Sequence, residues 1–311
     1  MKLSIIVPVY YNEPTLWPLY NNLKDKILSR NDLECEIVMV NDGSKDKSYE
    51  VMQEISNHDS RVKIYSLSRN FGAHAAILCG LECCTGDCAV VKAADLQEPT
   101  ELIHDMVESW KKGFNVVLAA RKSRPEGSVS VFFSNLYWWI VRKTSFPKMP
   151  KSGIDIYLVD RKVIDVVKKL DEKNSALTSQ ILWSGFRTDI VYYDRLERKT
   201  GKSRWTLKKK LRLVTDTLYS FSTVPITFVS AVGFLSFLAA LLWAIVTFIR
   251  KLCGQIEVSG WTSLFIFNLA AFGIVMLTLG IIGNYLWRTF DASRRRPPYI
   301  IEDNGTEEQH K

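Results

Sequence analysis

Five short apolar runs alternate with helix-length segments over the first 120 residues. The runs occupy residues 3–9, 35–40 and 62–67, a stretch that begins at residue 89, and residues 115–120. Each run is almost entirely hydrophobic, which is typical of strands that are covered on both faces. The segments between them include a helix predicted from Ala73 to about Cys84. Strands that alternate with helices in this way predict an α/β fold class with a mostly parallel, doubly wound, Rossmann-like sheet.

The hydrophobic pattern changes in the last third of the chain. No charged residue occurs in residues 224–249 or in residues 258–287. Both stretches are longer than the roughly 20 apolar residues that span a bilayer. Because core helices of soluble domains rarely stay uncharged over such lengths, the pattern predicts two transmembrane helices joined by a short loop at 250–257.

The distribution of charge predicts the orientation of these helices. The chain of 311 residues is 47% hydrophobic and carries a formal charge of +8. Basic residues flank the outer ends of the two spans, at Lys208, Lys209, Lys210, Arg212, Arg288, Arg294, Arg295 and Arg296, whereas the loop holds Arg250 and Lys251. The first eight residues are too short an apolar stretch for a secretory signal. By the positive-inside rule we expect a two-span cell-membrane protein whose soluble domain and both termini are cytoplasmic.

Two further segments suggest contact with a lipid surface. Residues 131–141 are aromatic and apolar but too short to span a bilayer, and residues 205–224 mix lysines with leucines at helical spacing. Packing against the sheet would also explain the first segment. We therefore expect a nucleotide-binding core at 1–128 and an acceptor-side region at 129–223 with interfacial helices and the last strands. A membrane hairpin at 224–288 and a basic tail at 289–311 complete the chain.

Several common functions are disfavoured by what the motifs lack. The dinucleotide fingerprint G-x-G-x-x-G does not follow the first strand, and the P-loop motif is absent, so a nicotinamide enzyme or an ATPase is not expected. We also expect no nucleic-acid partner. Four of the six cysteines cluster at 79–88 without paired metal-ligand spacing, which favours buried thiols of a reducing compartment.

Polar side chains collect where the predicted strands end. They are Asn12, Glu13, Asp42, Arg69, Asp95, Gln97 and Arg121. Ligands of open α/β sheets bind beyond the carboxyl ends of the strands, so a nucleotide is expected there. Asp95 and Gln97 offer oxygen ligands that suit Mg²⁺ or Mn²⁺. An ordinary acidic turn would carry the same residues, and this stretch alone does not decide between the two interpretations.

The motifs at these strand ends resemble those of the family 2 (GT-A) glycosyltransferases. They are VPVYYNE at 7–13, NDGS at 41–44, RNFG at 69–72, DLQEP at 95–99, GIDIYLVDR at 153–161, RKTGKSRW at 198–205 and RPPY at 296–299. The similarity covers nearly the whole chain and extends to the group that transfers sugars to polyprenyl phosphates, which includes dolichol-phosphate mannose synthase and bactoprenol glucosyltransferases. It implies metal-dependent, inverting transfer from a nucleotide-sugar to undecaprenyl or dolichyl phosphate on the cytoplasmic face.

The resemblance also implies roles for individual residues. Donor-binding positions are Pro8, Tyr10, Asn12, Glu13, Asp42, Arg69, Ala93 and Ala94. Asp95 and Gln97 would bind Mg²⁺ or Mn²⁺, and Asp95, Asp155 and Arg121 would be catalytic. Arg124, Arg198, Ser203 and Arg204 are the candidates for the acceptor phosphate, since guanidinium groups match phosphate geometry. The expected partners are the nucleotide-sugar donor, the polyprenyl phosphate acceptor and the lipid bilayer. Assembly into a homo-oligomer is compatible with this expectation.

The sequence leaves some alternatives open. The family usually carries D-x-D-L-Q, but its first Asp is Ala93 here, and Asn41 replaces another common Asp. Arg198 and Arg204 could instead contact lipid headgroups, and Asp155 could be a helix cap or an ion-pair partner. A processive polysaccharide synthase is a rival function, although Gly201 stands where its Q-x-x-R-W motif needs glutamine. A non-catalytic membrane scaffold is the rival from another class.

Overall fold

The computed structural model describes residues 1–30, 32–122, 142, 150, 153–154, 156–170, 176–196, 224–253, 260–303 and 305. The described residues before 197 and after 295 form one compact unit, and those from 224 to 295 form a second. The segment expected at 131–141 lies outside the described residues. So does the segment expected at 205–224, except for Val224.

One mixed sheet organises the first unit. Its strands are β1 (Lys2–Val9), β2 (Glu34–Asn41), β3 (Val62–Leu67), β4 (Cys88–Val91), β5 (Val116–Arg121), β6 (Ile156–Asp160), β7 (Thr188–Tyr193) and β8 (Ile301–Asp303). The spatial order is β7-β5-β6-β4-β1-β2-β3-β8. The pairs β1–β2, β1–β4, β2–β3 and β5–β7 are parallel, whereas β6 and β8 run antiparallel to their neighbours. The five predicted strands and the mostly parallel α/β sheet are confirmed.

Helices cover both faces of this sheet. They are α1 (Glu13–Leu23), α2 (Ser48–His58), α3 (Ala73–Cys83), α4 (Leu102–Lys111), α5 (Arg161–Val167) and α6 (Leu177–Trp183). One core lies beneath α1, α2 and α4, and a second lies beneath α3, α5 and α6. In β1 the side chains alternate between them, with Ile5 and Val7 in the first core and Ile6 in the second. Burial on both faces explains why the strand is apolar at every position from Ile5 to Val9.

The end of the chain returns to the sheet as β8, the strand that borders β3. Ser66 pairs with Asp303, and Ser68 N–H donates to the carbonyl of Ile300 at 3.0 Å. The hydroxyl of Tyr49 donates to Asp303 at 2.5 Å. The segment after the second apolar helix therefore completes the same sheet that the first residues begin. A three-residue strand in a largely polar tail has too little hydrophobic pattern to be predicted from sequence.

The second unit contains two long helices, α7 (Val224–Leu252) and α8 (Trp261–Ser293). Within them, Val224–Trp243 and Ala270–Ser293 are long and apolar enough to cross a membrane by length and composition. Large apolar side chains such as those of Trp243 and Leu286 are about two-thirds exposed (70% and 67%). Helices of a soluble protein would bury such side chains in a core, so their exposure agrees with a lipid surrounding.

A buried carboxylate, that of Glu36, links neighbouring segments at the edge of the sheet where the parallel strands begin. Glu36 on β2 accepts hydrogen bonds from Ser4 Oγ (2.7 Å), Thr85 N–H (2.6 Å) and Lys63 Nζ (2.9 Å). Burial alone would raise the pKa of Glu36, but the hydrogen bonds from Lys63, Ser4 and Thr85 outweigh it and lower that pKa to about 2. The ionised form of Glu36 therefore stabilises the fold.

Replacing Glu36 with glutamine is expected to lower the free energy of unfolding by roughly 2–4 kcal/mol at pH 7, because buried donors lose a charged acceptor. Since folding lowers the pKa of Glu36 from 4.5, its contribution is complete above pH 4.5 and is lost as the pH falls towards 2. Thermal melts of the full-length protein in detergent should show the two proteins converging in acid. Glu34→Gln, at an exposed pair with Lys2, should change stability by less than about 0.5 kcal/mol at any pH. A constant gap between wild type and Glu36→Gln across this range would contradict the prediction.

Candidate active site

The candidate site lies at the edge where parallel strands end together. In the register of the sheet Val9 of β1 pairs with Asn41 of β2, and Asn41 pairs with Ser66 of β3. β4 flanks β1 on its other side and runs in the same direction. Since the chain leaves β1 between β2 and β4, this is the point where the strand order reverses, and such points bind ligands in open α/β sheets.

Four of the predicted donor-binding residues lie between the end of β1 and the start of α1, and the turn after β2 contacts this segment. Tyr11 adopts the left-handed backbone conformation (φ 55°), and its N–H donates to Ser44 Oγ at 3.0 Å. The side-chain oxygen of Asn12 accepts from Tyr10 N–H at 2.9 Å. Pro8 and Tyr10 are half-buried, and Glu13 accepts from Lys47 N–H at 3.3 Å. These contacts fix the shape of the turn, and donor binding by its residues stays a prediction.

Asp42 is a buried carboxylate of the edge that accepts several hydrogen bonds. It is 2% exposed, and its oxygens accept from Phe71 N–H (2.7 Å), Gly72 N–H (3.0 Å) and Asn70 Nδ2 (2.9 Å). In the described contacts Asp42 thus anchors the 69–72 loop. Contact between Asp42 and a nucleobase stays a prediction. The anchored 69–72 loop would form one side of the expected nucleobase pocket.

The loop after β3 approaches the turn after β2 closely. A Cβ on Gly43 (φ 64°) would lie 2.5 Å from the backbone carbon of Arg69, so only glycine fits there. Arg69 itself is exposed, and its guanidinium lies 4.0 Å from the ring centroid of Phe71. Its stacked, exposed position leaves the charge at the rim of the edge, where an anionic ligand can reach it.

The stretch after β4 forms a tight loop around the predicted metal ligands. Asp95 is half-buried, Gln97 is buried, and Gln97 N–H donates to Asp95 Oδ1 at 3.3 Å. Leu96 between them has φ 58°, which costs a non-glycine residue about 1–2 kcal/mol unless its surroundings hold it. Ala93 is half-buried and Ala94 is buried beside them. Backbone strain of this kind clusters at ligand-binding sites.

Two cations that sequence reasoning missed contact this loop. Lys92 is fully buried, with Nζ 2.5 Å from the carbonyl oxygen of Glu98 and 3.3 Å from its carboxylate. Burial lowers the pKa of Lys92, and the negative charge of Glu98 opposes that shift. Arg195, just after β7, donates to the side-chain oxygen of Gln97. A lysine that interrupts an apolar run was a visible signal, whereas no local pattern relates Arg195 to Gln97, 98 residues away.

Arg121 is among the described residues, whereas the candidates for the acceptor phosphate are not. Arg121 ends β5, which runs parallel to β4 because both are antiparallel to β6. Arg121 therefore lies at the same edge of the sheet as Asp95, with β6 between their strands. Its role in catalysis stays a prediction. The remaining site residues of the sequence analysis lie outside the described residues; they are Arg124, Asp155, Arg198, Ser203 and Arg204.

The donor set of the edge suits a divalent cation that arrives with a diphosphate. Among the described residues no three His, Cys, Asp or Glu side chains come together as a metal cage. Asp95 and Gln97 supply one carboxylate and one amide, and the amide oxygen also accepts a hydrogen bond from Arg195. Mg²⁺ is commonly held by one or two carboxylates plus substrate phosphates, so these residues fit the ion.

Comparison with known proteins identifies the family of the chain. Residues 4–158 match the model of glycosyl transferase family 2. The glycosyltransferase YkcC of Bacillus subtilis is 38% identical over 97% of this chain and 94% of its own length. A prophage bactoprenol glucosyl transferase homolog of Escherichia coli is 32% identical over 97% and 99%, respectively. Among solved structures, glucosyl-3-phosphoglycerate synthase from Mycobacterium tuberculosis aligns with 70% of this chain and 79% of that chain, at 16% identity and a TM-score of 0.47. The chain belongs to glycosyl transferase family 2, and it is a glycosyltransferase.

Proposed function

We propose that this glycosyltransferase moves a sugar from a nucleotide-sugar to a polyprenyl phosphate at the cytoplasmic face of the cell membrane. The proposal of a polyprenyl phosphate acceptor rests on the extent of the similarity to bactoprenol glucosyl transferases. That of Shigella phage SfV, for example, is 31% identical over 97% of this chain. The aligned region takes in the two apolar helices as well as the sheet. A water-soluble acceptor would not need such helices.

The connectivity of the sheet supports a membrane hairpin with both ends on one side. β1 precedes α7 and α8 in the chain, whereas β8 follows them, and both strands belong to one sheet. If α7 crosses the bilayer, α8 must cross back so that β8 can pair with β3. Basic residues outside the hairpin favour the cytoplasm as that side. Short hairpins of this type also suit assembly into a homo-oligomer.

The strand-end edge supplies the groups that donor activation needs. Asp95 and Gln97 would hold Mg²⁺ or Mn²⁺ together with the diphosphate of the donor. Such an ion, when bound, neutralises charge on the departing diphosphate. The turn at 8–13, the Asp42-anchored loop and Ala93–Ala94 would surround the nucleoside, and Arg69 would meet negative charge at the rim. We therefore expect the donor half of the site within residues 1–128.

The acceptor side, expected within residues 129–223, needs cations more than a base. A phosphate monoester has a second pKa near 6, so most of a polyprenyl phosphate is dianionic at neutral pH. One of its oxygens forms the bond to the anomeric carbon, and the bond from that carbon to the diphosphate oxygen breaks with its electron pair. Attack from the opposite face inverts the anomeric configuration. Arg121, Arg124, Arg198, Ser203 and Arg204 would hold the acceptor, and Asp155 would face the acceptor or the sugar.

A lipid-transfer assay tests this function directly. Membranes that contain the protein are incubated with undecaprenyl phosphate, Mn²⁺ and a panel of radiolabelled nucleotide-sugars, and the lipid phase is extracted and counted. We expect one donor to label the lipid, and chelation of the metal to remove the label. Membranes without the protein are the control. Labelling of a water-soluble polymer would favour a processive synthase, and no labelling from any donor, with no nucleotide binding, would favour a non-catalytic scaffold.

A further inference from the structure

Lys92 has a position that the proposed chemistry does not use directly. Its backbone N–H donates to the carbonyl of Ile6 at 2.9 Å, so the residue prolongs β4 by one step along β1. Its side chain is 0% exposed, and it is the one lysine or arginine among the described residues that is buried. A buried ammonium is unfavourable unless it is paired and hydrogen-bonded, so its partners deserve an explanation.

The partners of Lys92 lie at the far end of the loop that contains Asp95. Nζ contacts both the carbonyl oxygen of Glu98 (2.5 Å) and its carboxylate (3.3 Å), and Glu98 is 5% exposed. The contact closes a ring that contains residues 93–97. This ring holds Asp95, Gln97 and the left-handed Leu96, and the N–H of Leu196 attaches it to the segment after β7 through the carbonyl of Gln97 at 2.9 Å.

Stability alone does not account for an ion pair in this place. Buried ion pairs can often be replaced by apolar side chains of similar volume without loss of stability. An apolar pair, however, would not bond the backbone carbonyl of Glu98, and the loop would lose the link between its two ends. What the pair supplies beyond packing is a defined loop shape at the donor edge.

We propose that Lys92 is a positioning residue that, through Glu98, holds Asp95 and Gln97 in the arrangement that receives the divalent cation and the diphosphate. This inference rests on the proposed function, because it takes Asp95 and Gln97 as the cation ligands. It predicts that removing the pair weakens cation binding without unfolding the protein. Supporting groups of this kind typically change metal affinity by about 10- to 100-fold when they are removed.

The decisive variant replaces both members of the pair, Lys92→Met with Glu98→Met, so that neither charge is left buried alone. Full-length proteins in detergent are titrated with Mn²⁺ in the presence of excess UDP or GDP, and free Mn²⁺ is followed by electron paramagnetic resonance. We expect the double variant to bind Mn²⁺ about tenfold more weakly or worse, with a melting temperature close to that of wild type. Amide hydrogen exchange without metal should be faster at residues 93–98 in the variant.

A second ion pair of the same residue types provides the matched control. Lys111 and Glu108 on α4 lie 2.8 Å apart at the surface, and their replacement by methionine should change neither the Mn²⁺ affinity nor the hydrogen exchange.

If the double variant proves unstable, Glu98→Gln keeps the carbonyl contact and is expected to weaken Mn²⁺ binding by a few-fold. Equal Mn²⁺ affinity and equal exchange in wild type and these variants would overturn the inference alone. A wild-type protein that binds no Mn²⁺ with either nucleotide would overturn the metal-dependent part of the proposed function and the inference together.

Discussion

Asp95→Asn is expected to reduce sugar transfer by roughly 10²–10³-fold or more while the protein still folds and inserts into membranes. Asp95 lies half-buried in the loop after β4, and Glu98 of the same loop is paired with Lys92. With Ala93 at the first Asp position of the usual motif, Asp95 is the carboxylate of that motif which the chain retains. An amide of the same shape removes its charge with little change in packing.

The measurement is lipid labelling at saturating donor, together with Mn²⁺ titration in the presence of nucleotide. Asp105→Asn is the matched control, because Asp105 is an exposed aspartate on α4, close in sequence to the loop, and it should retain wild-type turnover. The melting temperature and membrane fractionation of Asp95→Asn should match those of wild type. Turnover within a few-fold of wild type would contradict a role for Asp95 in holding the ion.

Asp42→Ala is expected to raise KM for the donor by about 10- to 100-fold and to lower the free energy of unfolding by roughly 3 kcal/mol. The substitution removes the acceptor for two backbone N–H groups, those of Phe71 and Gly72, and for the side chain of Asn70. These groups are part-buried, so water can satisfy them only if the loop opens. An opened 69–72 loop would take Arg69 away from the rim and widen the expected nucleoside pocket.

Donor titrations of the full-length enzyme separate KM from kcat for this variant, and hydrogen exchange at residues 69–72 follows the loop itself. Asp46→Asn in the neighbouring turn serves as the control, since Asp46 accepts one 3.2 Å bond from Ser48 N–H, and its KM should stay within about twofold of wild type. An unchanged KM together with faster loop exchange would separate the anchoring role of Asp42 from donor binding. An unchanged exchange rate would show that the loop does not depend on Asp42.

The parallel part of the fold could be predicted because its strands are buried on both faces. Most positions of β1 to β5 are apolar, and the polar residues that follow these strands mark the edge where the strands end. β6 and β8 were not predicted as separate antiparallel strands. Pairing between β4 and β6, or between β3 and β8, joins residues far apart in sequence, and no local turn signal accompanies it.

At the site, residue types were easier to predict than their contacts. Asp42 and Asp95 were selected correctly as strand-end carboxylates, but the sequence could not indicate that Asp42 is engaged by the amides of Phe71 and Gly72. Lys92 was visible as a charge in an apolar run, yet its pairing with Glu98 depends on the left-handed turn at Leu96. Backbone conformations of this kind follow from tertiary context rather than from local propensity.

The order of synthesis gives the last strand a particular importance. A ribosome releases β3 long before residues 301–303, with both apolar helices translated in between. Until β8 emerges, the edge of β3 lacks the partner that β8 provides, and such open edges invite pairing with other chains. The sheet is therefore completed only after both apolar helices have been translated. A chain that stops after α8 would leave β3 as an unpaired edge strand, which favours aggregation.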